Sequence, residues 1–219
     1  IICETISLSS GKIQFKMTLE VKISNRLITY KYAFKFLRKR VEDVKKGKKK
    51  ELLWILEHPL TFTAGIRSNE KEVLDNKIKL IKTNRGGKIT LHNPGQKIIY
   101  FILNLNKRKK DIRNLINEIE KSIIDFLKIY KINSYADKKN IGIWVKNKKI
   151  AAIGIRVSSW IAYHGCSINI KNNLKHYQKI IPCGLDNDKI TSIKTEVRSK
   201  IINVNDNLKK VFLRRFKNI

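Results

Sequence analysis

Residues 97–127, KIIYFILNLNKRKKDIRNLINEIEKSIIDFL, contain the two periodicities that decide the fold class of this chain. The opening run, KIIYFILNL (97–105), is short and continuously apolar, which is typical of a buried β-strand. After a basic connection, apolar residues recur at helical spacing and form one stripe: Ile112, Leu115, Ile116, Ile119, Ile123, Phe126 and Leu127. The stretch therefore predicts a buried strand followed by an amphipathic helix.

The segments on either side continue this mixture of strands and helices. Further strands are predicted at 51–57 (ELLWILE), 79–82, 142–145, 150–157 and 165–170. The strands 142–145 and 150–157 enclose a tight turn at Lys146-Asn147-Lys148, which predicts a hairpin. Two more helices are predicted, one from Tyr30 to a stop near Gly47 and one over 205–216. The pattern predicts an α/β or α+β fold with a mixed sheet flanked by helices.

The length and composition predict one domain. The chain has 219 residues, of which 42% are hydrophobic, and contains no repeat and no long linker. Met17 is the only methionine, so we expect translation to start there, with residues 1–16 as an upstream or disordered segment. A single catalytic domain is then predicted over residues 17–219.

The net charge of +30 has two readings that the sequence leaves open. An acidic partner, either protein or nucleic acid, would be attracted to such a surface. Alternatively, the Lys, Asn and Ile content reflects AT-rich coding. The charge is spread over the whole chain, whereas nucleic-acid binders usually concentrate it on one face, so no nucleic-acid partner is predicted.

The cysteine count and the hydropathy exclude several classes of protein. Cys3, Cys166 and Cys183 form no CxxC pair, which disfavours a disulfide framework or a zinc site. The four histidines show no metal-ligand spacing, so no metal is predicted. No apolar run approaches the roughly 18–20 residues that cross a membrane. A reduced cytoplasmic setting without membrane attachment is expected.

Three polar, glycine-containing stretches are candidates for a site. Residues 83–96 hold three of the ten glycines, and Arg85 and His92 within them would offer donors to a carbonyl or phosphate oxygen. Residues 149–156 (KIAAIGIR) predict a strand with small side chains, which leaves room for a ligand. In residues 181–185 (IPCGL), Cys183 stands in a turn, whereas Cys166 lies in an apolar stretch and is expected to be a buried small hydrophobe.

These stretches resemble, in their order and spacing, the bacterial octanoyltransferases of lipoate synthesis. The resemblance extends over residues 19–195 and rests on several short motifs: Glu57-His58-Pro59, Thr63-Ala64-Gly65, Arg85-Gly86-Gly87, Pro94-Gly95-Gln96, Gly142-Ile143-Trp144-Val145, Lys149 to Arg156, Trp160, His164-Gly165 and Pro182-Cys183-Gly184. It implies a fold similar to the catalytic domain of lipoate and biotin protein ligases.

The resemblance also implies the residues of the site. Cys183 corresponds to the nucleophile, and Lys149 to the lysine held beside it. The residues implied in substrate binding are Arg85, Gly86, Gly87, Lys88, Ile89, Thr90, Leu91, His92, Ala152, Ile153, Gly154, Gly165, Cys166 and Ser167. Leu91 and Asn93 replace the Tyr and Gly that are usual in the family, and Asn93 is expected to keep the loop shape because Asn tolerates positive φ.

The implied reaction transfers an octanoyl group from octanoyl-acyl carrier protein through a Cys183 thioester to a lysine of a lipoyl domain. The acceptors would be lipoyl domains of 2-oxoacid dehydrogenases and the glycine cleavage H protein. No cofactor beyond the donor's phosphopantetheine, and a monomeric enzyme, are expected. The alternatives are an ATP-dependent lipoate ligase of the same fold, a nucleic-acid-binding module suggested by charge alone, and an inactive homologue.

Overall fold

The computed structural model describes residues 2–8, 17–138, 140–182 and 189–219. The strands are β1 (Ile2–Leu8), β2 (Met17–Ile23), β3 (Glu51–Leu56), β4 (Thr61–Ala64), β5 (Leu80–Lys82), β6 (Ile89–His92), β7 (Gln96–Asn104), β8 (Tyr135–Ala136), β9 (Ile143–Val145), β10 (Lys148–Ser158) and β11 (Ile161–Asn169). The helices are α1 (Tyr30–Lys45), α2 (Ile112–Ile129), α3 (Ile193–Glu196) and α4 (Val204–Phe216). Short 3-10 helices cover Glu70–Glu72, Leu105–Lys107 and Leu174–Lys179.

The predicted mixed sheet is confirmed. Eight strands form the main sheet in the order β1-β2-β3-β7-β11-β10-β9-β8. In the described part of the main sheet, β2 and β3 are the one parallel pair, and α1 connects them; in the smaller sheet, β4 and β5 also pair in parallel. A smaller sheet of three strands has the order β5-β4-β6.

Alternating side chains of the central strands bury both faces of the main sheet. On β7, Ile98, Tyr100 and Ile102 pack toward the apolar side of α1, together with Leu52 and Trp54 of β3. The intervening residues Ile99, Phe101 and Leu103 face the other cluster, which α2 and α4 complete. A strand buried on both faces reads as a continuous apolar run. This explains why KIIYFILNL shows no polar alternation.

The helix boundaries follow local capping chemistry. Thr29 accepts the backbone N–H of Tyr32 at 3.4 Å and starts α1, while Asp111 accepts that of Asn114 at 2.9 Å and starts α2. Gly47, at φ +69°, lies just beyond the end of α1, as predicted. The hairpin prediction is also confirmed, because β9 and β10 pair around a turn in which Lys146 has φ +54°.

One expectation about local structure needs correction. The polar, glycine-containing stretch 83–96 is not wholly a loop, because it contains β6, which pairs with β4. Ile2–Leu8 forms a strand paired antiparallel with β2. The assignment of residues 1–16 to an upstream or disordered segment, with translation starting at Met17, stays a prediction.

Candidate functional site

Small side chains form the floor of a pocket on the α1 face of the main sheet. In the register of β10 and β11, Ala152 pairs with Ser167 and Gly154 pairs with Gly165. These four residues lie on the same face of the main sheet as Ile98 of β7, which is the register partner of Ser167. Four small side chains on neighbouring strands leave a depression in the sheet. The small residues of β10 that the sequence showed, Ala152 and Gly154, thus form half of this floor.

The roof of the pocket is the loop that carries Arg85. One guanidinium nitrogen, Nη2, donates to the carbonyl and the hydroxyl of Thr63 at 2.9 Å each, and Nη1 donates to the Gly86 carbonyl at 3.0 Å. The Gly86 N–H donates to the Ile155 carbonyl at 3.3 Å, which ties the loop to β10. Arg85 therefore uses these donors to shape the roof, whereas the sequence suggested that it would bind a ligand oxygen.

Glycine is required where the roof meets β4. A Cβ on Gly65 would overlap the Gly87 carbonyl oxygen and would lie 2.7 Å from Arg85 Nη1. Across the pocket, a Cβ on Gly154 would lie 3.2 Å from the Gly86 carbonyl oxygen. The roof and the floor therefore approach each other closely on one side, and the empty space of about 500 Å³ between them is partly open to solvent.

Aromatic and histidine side chains form the inner wall. His92 stacks on Tyr30, the first residue of α1, with ring centroids 5.9 Å apart. His58 lies behind them, 5.6 Å from the His92 ring and 5.8 Å from the Tyr100 ring. Tyr30, His92 and Tyr100 all line the pocket, and all three are buried.

A network of amides fixes the tautomer of His92. Asn169 Nδ2 donates to the Thr191 carbonyl at 2.9 Å, so Asn169 Oδ1 is the acceptor for Gln96 Nε2 at 2.9 Å. Gln96 Oε1 then faces His92 Nδ1 at 2.8 Å, which must carry the proton. His92 Nε2 is left as an acceptor, so His92 does not offer the donor that the sequence suggested.

The same reasoning applies to His58. Its Nδ1 donates to the Ile28 carbonyl, which can only accept, and its Nε2 therefore accepts the hydroxyl of Tyr100 at 2.9 Å. The Tyr100 oxygen is thereby oriented by a residue that lies outside the pocket. Burial raises the pKa of Tyr100 well above its ordinary value, so the phenol stays neutral.

His164 combines burial with an unusual backbone. It adopts φ +69° in the middle of β11, and Gly165 follows at φ +159°. The side chain is 3% exposed and donates from Nε2 to Asn84 Oδ1 at 2.8 Å. A positive φ at a non-glycine residue costs of order 1–3 kcal/mol and is concentrated at functional sites.

Because three histidines are buried, we predict that the free energy of unfolding decreases in weak acid. Burial lowers the pKa of His58 to about 4 and those of His92 and His164 to about 3, from an ordinary value of 6.5. The unfolded chain therefore takes up protons first as the pH falls below 6.5. Each histidine should remove about 1 kcal/mol of unfolding free energy between pH 7 and about 5.5.

Urea unfolding at these two pH values measures this loss, and about 3 kcal/mol is expected for the three histidines together. Between pH 8.5 and 7 their joint contribution should change by less than about 0.5 kcal/mol, because all three are neutral in the folded state and mostly neutral in the unfolded state. An unfolding free energy that does not change down to pH 5.5 would contradict the neutral, buried state of these side chains.

Lys149 lies in a smaller pocket that adjoins the first. Both pockets share Thr90, Ala152 and Ser167. Lys149 is 6% exposed, and its Nζ lies 5.5 Å from the centre of the Trp144 ring. No carboxylate of the described residues forms an ion pair with this ammonium. The pocket thus contains a buried cation.

The chain on both sides of Cys183 lines this second pocket. Pro182 and Ile190 are among its lining residues. Ile190 forms a parallel bridge with Lys149, and the N–H of Thr191 donates to the Lys149 carbonyl at 3.0 Å. Cys183 itself lies outside the described residues, so its predicted role stays a prediction.

Most of the other predicted residues surround the first pocket: Arg85, Gly86, Gly87, Lys88, Thr90, His92, Ala152, Ile153, Gly154, Gly165, Cys166 and Ser167. The side chains of Ile153 and Cys166 belong to the core on the α2 side, so the alternation of the strands leaves their backbone at the pocket. Burial raises the pKa of the Cys166 thiol, which fits the expected small hydrophobe.

Ile89 and Leu91 are not brought into the site. They alternate with Thr90 and His92 on β6 and pack away from the pocket, in a cluster with Phe62. The change at Leu91 therefore affects this cluster and not the pocket wall.

Asn93 keeps its loop in shape by a different means from the one expected. It is absent from the residues with positive φ. Its amide donates to the Asn173 carbonyl at 2.9 Å and accepts from Asn172 Nδ2 at 3.0 Å. His176 is partly buried, and its Nδ1 lies 3.1 Å from Asn93 Nδ2.

Four lining residues of the first pocket were not assigned to the site from the sequence: Tyr30, Ile98, Tyr100 and His164. His164 appeared only within a motif of the resemblance. The signal of the other three lies in the alternation of β7 and in the first residue of α1, and neither pattern stands out from that of a core. Among the described residues, no group of His, Cys, Asp or Glu is arranged to hold a metal ion. In the same part of the chain, no helix has the length and apolar character to span a membrane.

Comparison with known proteins shows the family to which the chain belongs. The lipoyl protein ligase A/B catalytic domain matches residues 29–217. The chain is 43% identical over 204 residues to an octanoyltransferase of Wolbachia sp. subsp. Brugia malayi, with 90% of this chain and 100% of that protein covered. It is 44% identical over 182 residues to an octanoyltransferase of Ehrlichia chaffeensis, covering 80% and 85%.

The fold is also found among solved structures. A bipartite lipoate protein ligase of Thermoplasma acidophilum, solved with its E2 lipoyl domain as an archaeal lipoylation system, superposes with a TM-score of 0.67. The match covers 90% of this chain and 82% of that one at 13% identity, which shows the fold alone. The family match and the sequence identities establish more: the chain belongs to the lipoyl protein ligase A/B catalytic domain family, and it is an acyltransferase of the octanoyltransferase group.

Proposed function

We propose that this enzyme takes an octanoyl group from octanoyl-acyl carrier protein onto Cys183 and passes it to a lysine of a lipoyl domain. The observation that carries the proposal is the pocket of Lys149, which the residues flanking Cys183 help to form. Cys183 directly follows Pro182, and consecutive Cα atoms are about 3.8 Å apart. Pro182 and Lys149 line one pocket, so the proposed nucleophile follows directly in sequence on a residue of the Lys149 pocket.

The first transfer conserves the thioester. The Cys183 thiolate attacks the octanoyl carbonyl, the new carbon–sulfur bond forms, and the phosphopantetheine thiolate leaves and takes a proton. The nearby Lys149 ammonium favours the Cys183 thiolate by charge. Backbone N–H groups next to Cys183 are the proposed donors to the tetrahedral oxygen. In this scheme Arg85 and His92 shape the pocket and are not used as donors.

The second transfer forms the stable product. The amine of the acceptor lysine attacks the acyl-enzyme carbonyl, the Cys183 thiolate leaves, and an amide forms. The attacking amine must lose a proton, and Lys149 in its neutral form would accept it. The reaction as written needs neither ATP nor a metal, because the thioester supplies the free energy for the amide.

The pocket suits an eight-carbon chain. Its lining includes the apolar side chain of Ile98 and the rings of Tyr30 and Tyr100, and mostly apolar walls are usual for small-molecule sites. The shallow floor at Ala152 and Gly154 leads from the Lys149 pocket toward Tyr100. We place the acyl chain along this floor, with its carbonyl at the Lys149 end.

A basic groove next to the pocket suits an acidic carrier protein. The exposed residues Lys31, Lys35, Arg38 and Lys39 of α1 line this groove. Asn84 lies in the groove and binds His164 of the pocket at 2.8 Å, so groove and pocket adjoin. Charge complementarity of this kind accelerates encounter. As acceptors we propose lipoyl domains of 2-oxoacid dehydrogenases and the glycine cleavage H protein.

Intact mass measurement after incubation with octanoyl-acyl carrier protein tests the proposal. We expect an octanoyl adduct that hydroxylamine removes, present in the wild type and absent from a folded Cys183→Ser variant. A folded wild type that forms no adduct, yet modifies a lipoyl domain when given ATP and lipoate, would instead identify an ATP-dependent ligase.

A further inference from the structure

We infer that Gly142 and Trp144 form a seat that positions the Lys149 ammonium, and that Gly142 is a positioning residue for the reaction. The inference rests on the proposed role of Lys149 at Cys183. It adds the reason why a flexible lysine side chain would stay in one place.

Gly142 lies directly against the Lys149 side chain. A Cβ on Gly142 would overlap Lys149 Cε, would lie 3.1 Å from Nζ, and would lie 2.6 Å from the Ala151 carbonyl oxygen. Gly142 also adopts φ +145°, a backbone conformation that side chains rarely allow. Any larger residue would push the end of the lysine away from its present position.

Trp144 supports the ammonium from a second direction. It is the register partner of Lys149 across β9 and β10, and its ring centre lies 5.5 Å from Nζ. The indole N–H donates to the Asn140 carbonyl at 3.0 Å, which fixes the ring plane. A cation within about 6 Å of an aromatic face is attracted by the ring.

This seat matters because no described carboxylate fixes the ammonium. A lysine has four rotatable bonds, and an ion pair would normally restrict them. Here the absence of a Cβ at Gly142 leaves the space that the end of the lysine occupies, and the ring of Trp144 attracts the ammonium to that position. The bulge between Lys149 and Ala151 in the pairing of β10 with β9 lets the backbone turn at this point.

The test is the single-turnover rate of octanoyl transfer to Cys183 in Gly142→Ala. Displacement by about 1 Å can slow a reaction about a hundredfold, so we expect a loss of at least about tenfold. The apparent KM for the carrier protein should stay within about twofold, since the basic groove of α1 is remote from this change. Alkylation of Cys183 by iodoacetamide, which needs no substrate, should slow as well, because a displaced ammonium stabilises the thiolate less.

Gly47→Ala is the matched control. Gly47 also has a positive φ, +69°, but a Cβ there would meet nothing within 4 Å. The Gly47→Ala variant therefore introduces backbone strain without any new contact at the site. Its octanoyl transfer rate should equal that of the wild type.

A second pair of variants keeps the inference testable if Gly142→Ala does not fold. Trp144→Phe keeps an aromatic face and should stay within about threefold of the wild type, whereas Trp144→Leu removes the face and should slow transfer by about tenfold. Equal transfer rates in folded Gly142→Ala and wild type, or in the two Trp144 variants, would contradict the proposal that Gly142 and Trp144 position the Lys149 ammonium. Absence of an adduct in the wild type would instead refute the proposed function.

Discussion

Replacement of Lys149 by methionine is expected to slow octanoyl transfer by about a hundredfold to ten-thousandfold, the usual contribution of a positioned proton-transfer group. Methionine has a similar length and no charge, and the site is 6% exposed, so the fold should tolerate it. The steady-state kcat for a lipoyl-domain acceptor measures the loss. Both half-reactions should slow, because Lys149 is proposed to assist the thiolate in the first and to accept a proton in the second.

Lys148→Met is the control for this experiment. Lys148 precedes Lys149 on β10, points to the other side of the strand and is exposed. It removes the same charge from the same segment without touching the pocket. If Lys148→Met and Lys149→Met had equal kcat values, the effect would arise from net charge, and the assignment of Lys149 would be wrong.

Gly165→Ala should produce the largest loss of stability. A Cβ on Gly165 would overlap the carbonyl oxygen of Ile99 and would lie 3.2 Å from the Cα of Tyr100, so β7 and β11 would have to separate. These strands are central in the main sheet. A loss of about 4–5 kcal/mol, which is exceptional for one substitution, is expected. For a protein of this size the melting temperature should fall by about 10 °C or more.

Gly154→Ala is the control that separates the steric overlap at Gly165 from the general effect of a glycine-to-alanine change on stability. Gly154 is the register partner of Gly165 on β10, but its Cβ would come no closer than 3.2 Å to the Gly86 carbonyl oxygen. Thermal unfolding of both variants should therefore show a much smaller decrease for Gly154→Ala. Similar melting temperatures for the two would mean that β7 and β11 can move apart easily.

The sequence predicted the fold best where a single physical cause determines the residue pattern of an element. Strands buried on both faces give long apolar runs, and residues 97–105 could be recognised for that reason. β6 was missed because it has only four residues and stands among glycines and a proline that are typical of a loop. Its pairing with β4 decides that it is a strand, and pairing is not visible in local composition.

Most of the residues that the sequence singled out line one pocket, but their hydrogen bonds depend on the three-dimensional network. Arg85 and His92 line this pocket, and both were expected to donate to a ligand; their part in substrate binding stays a prediction. Distant groups decide these hydrogen bonds: the carbonyl of Thr63 occupies a donor of Arg85, and the carbonyl of Thr191 determines, through Asn169 and Gln96, which nitrogen of His92 carries the proton. A single sequence contains no sign that these groups are neighbours.

The alternation of side chains across the main sheet has a consequence for how such enzymes can change. The pocket occupies the α1 face, whereas α2 and α4 close the opposite face. A substitution at Ala152 or Ser167 can therefore reshape the cavity while the packing beneath it stays intact. Selection for a new acyl group, in nature or in the laboratory, could act on one face and leave the opposite face to keep the protein folded.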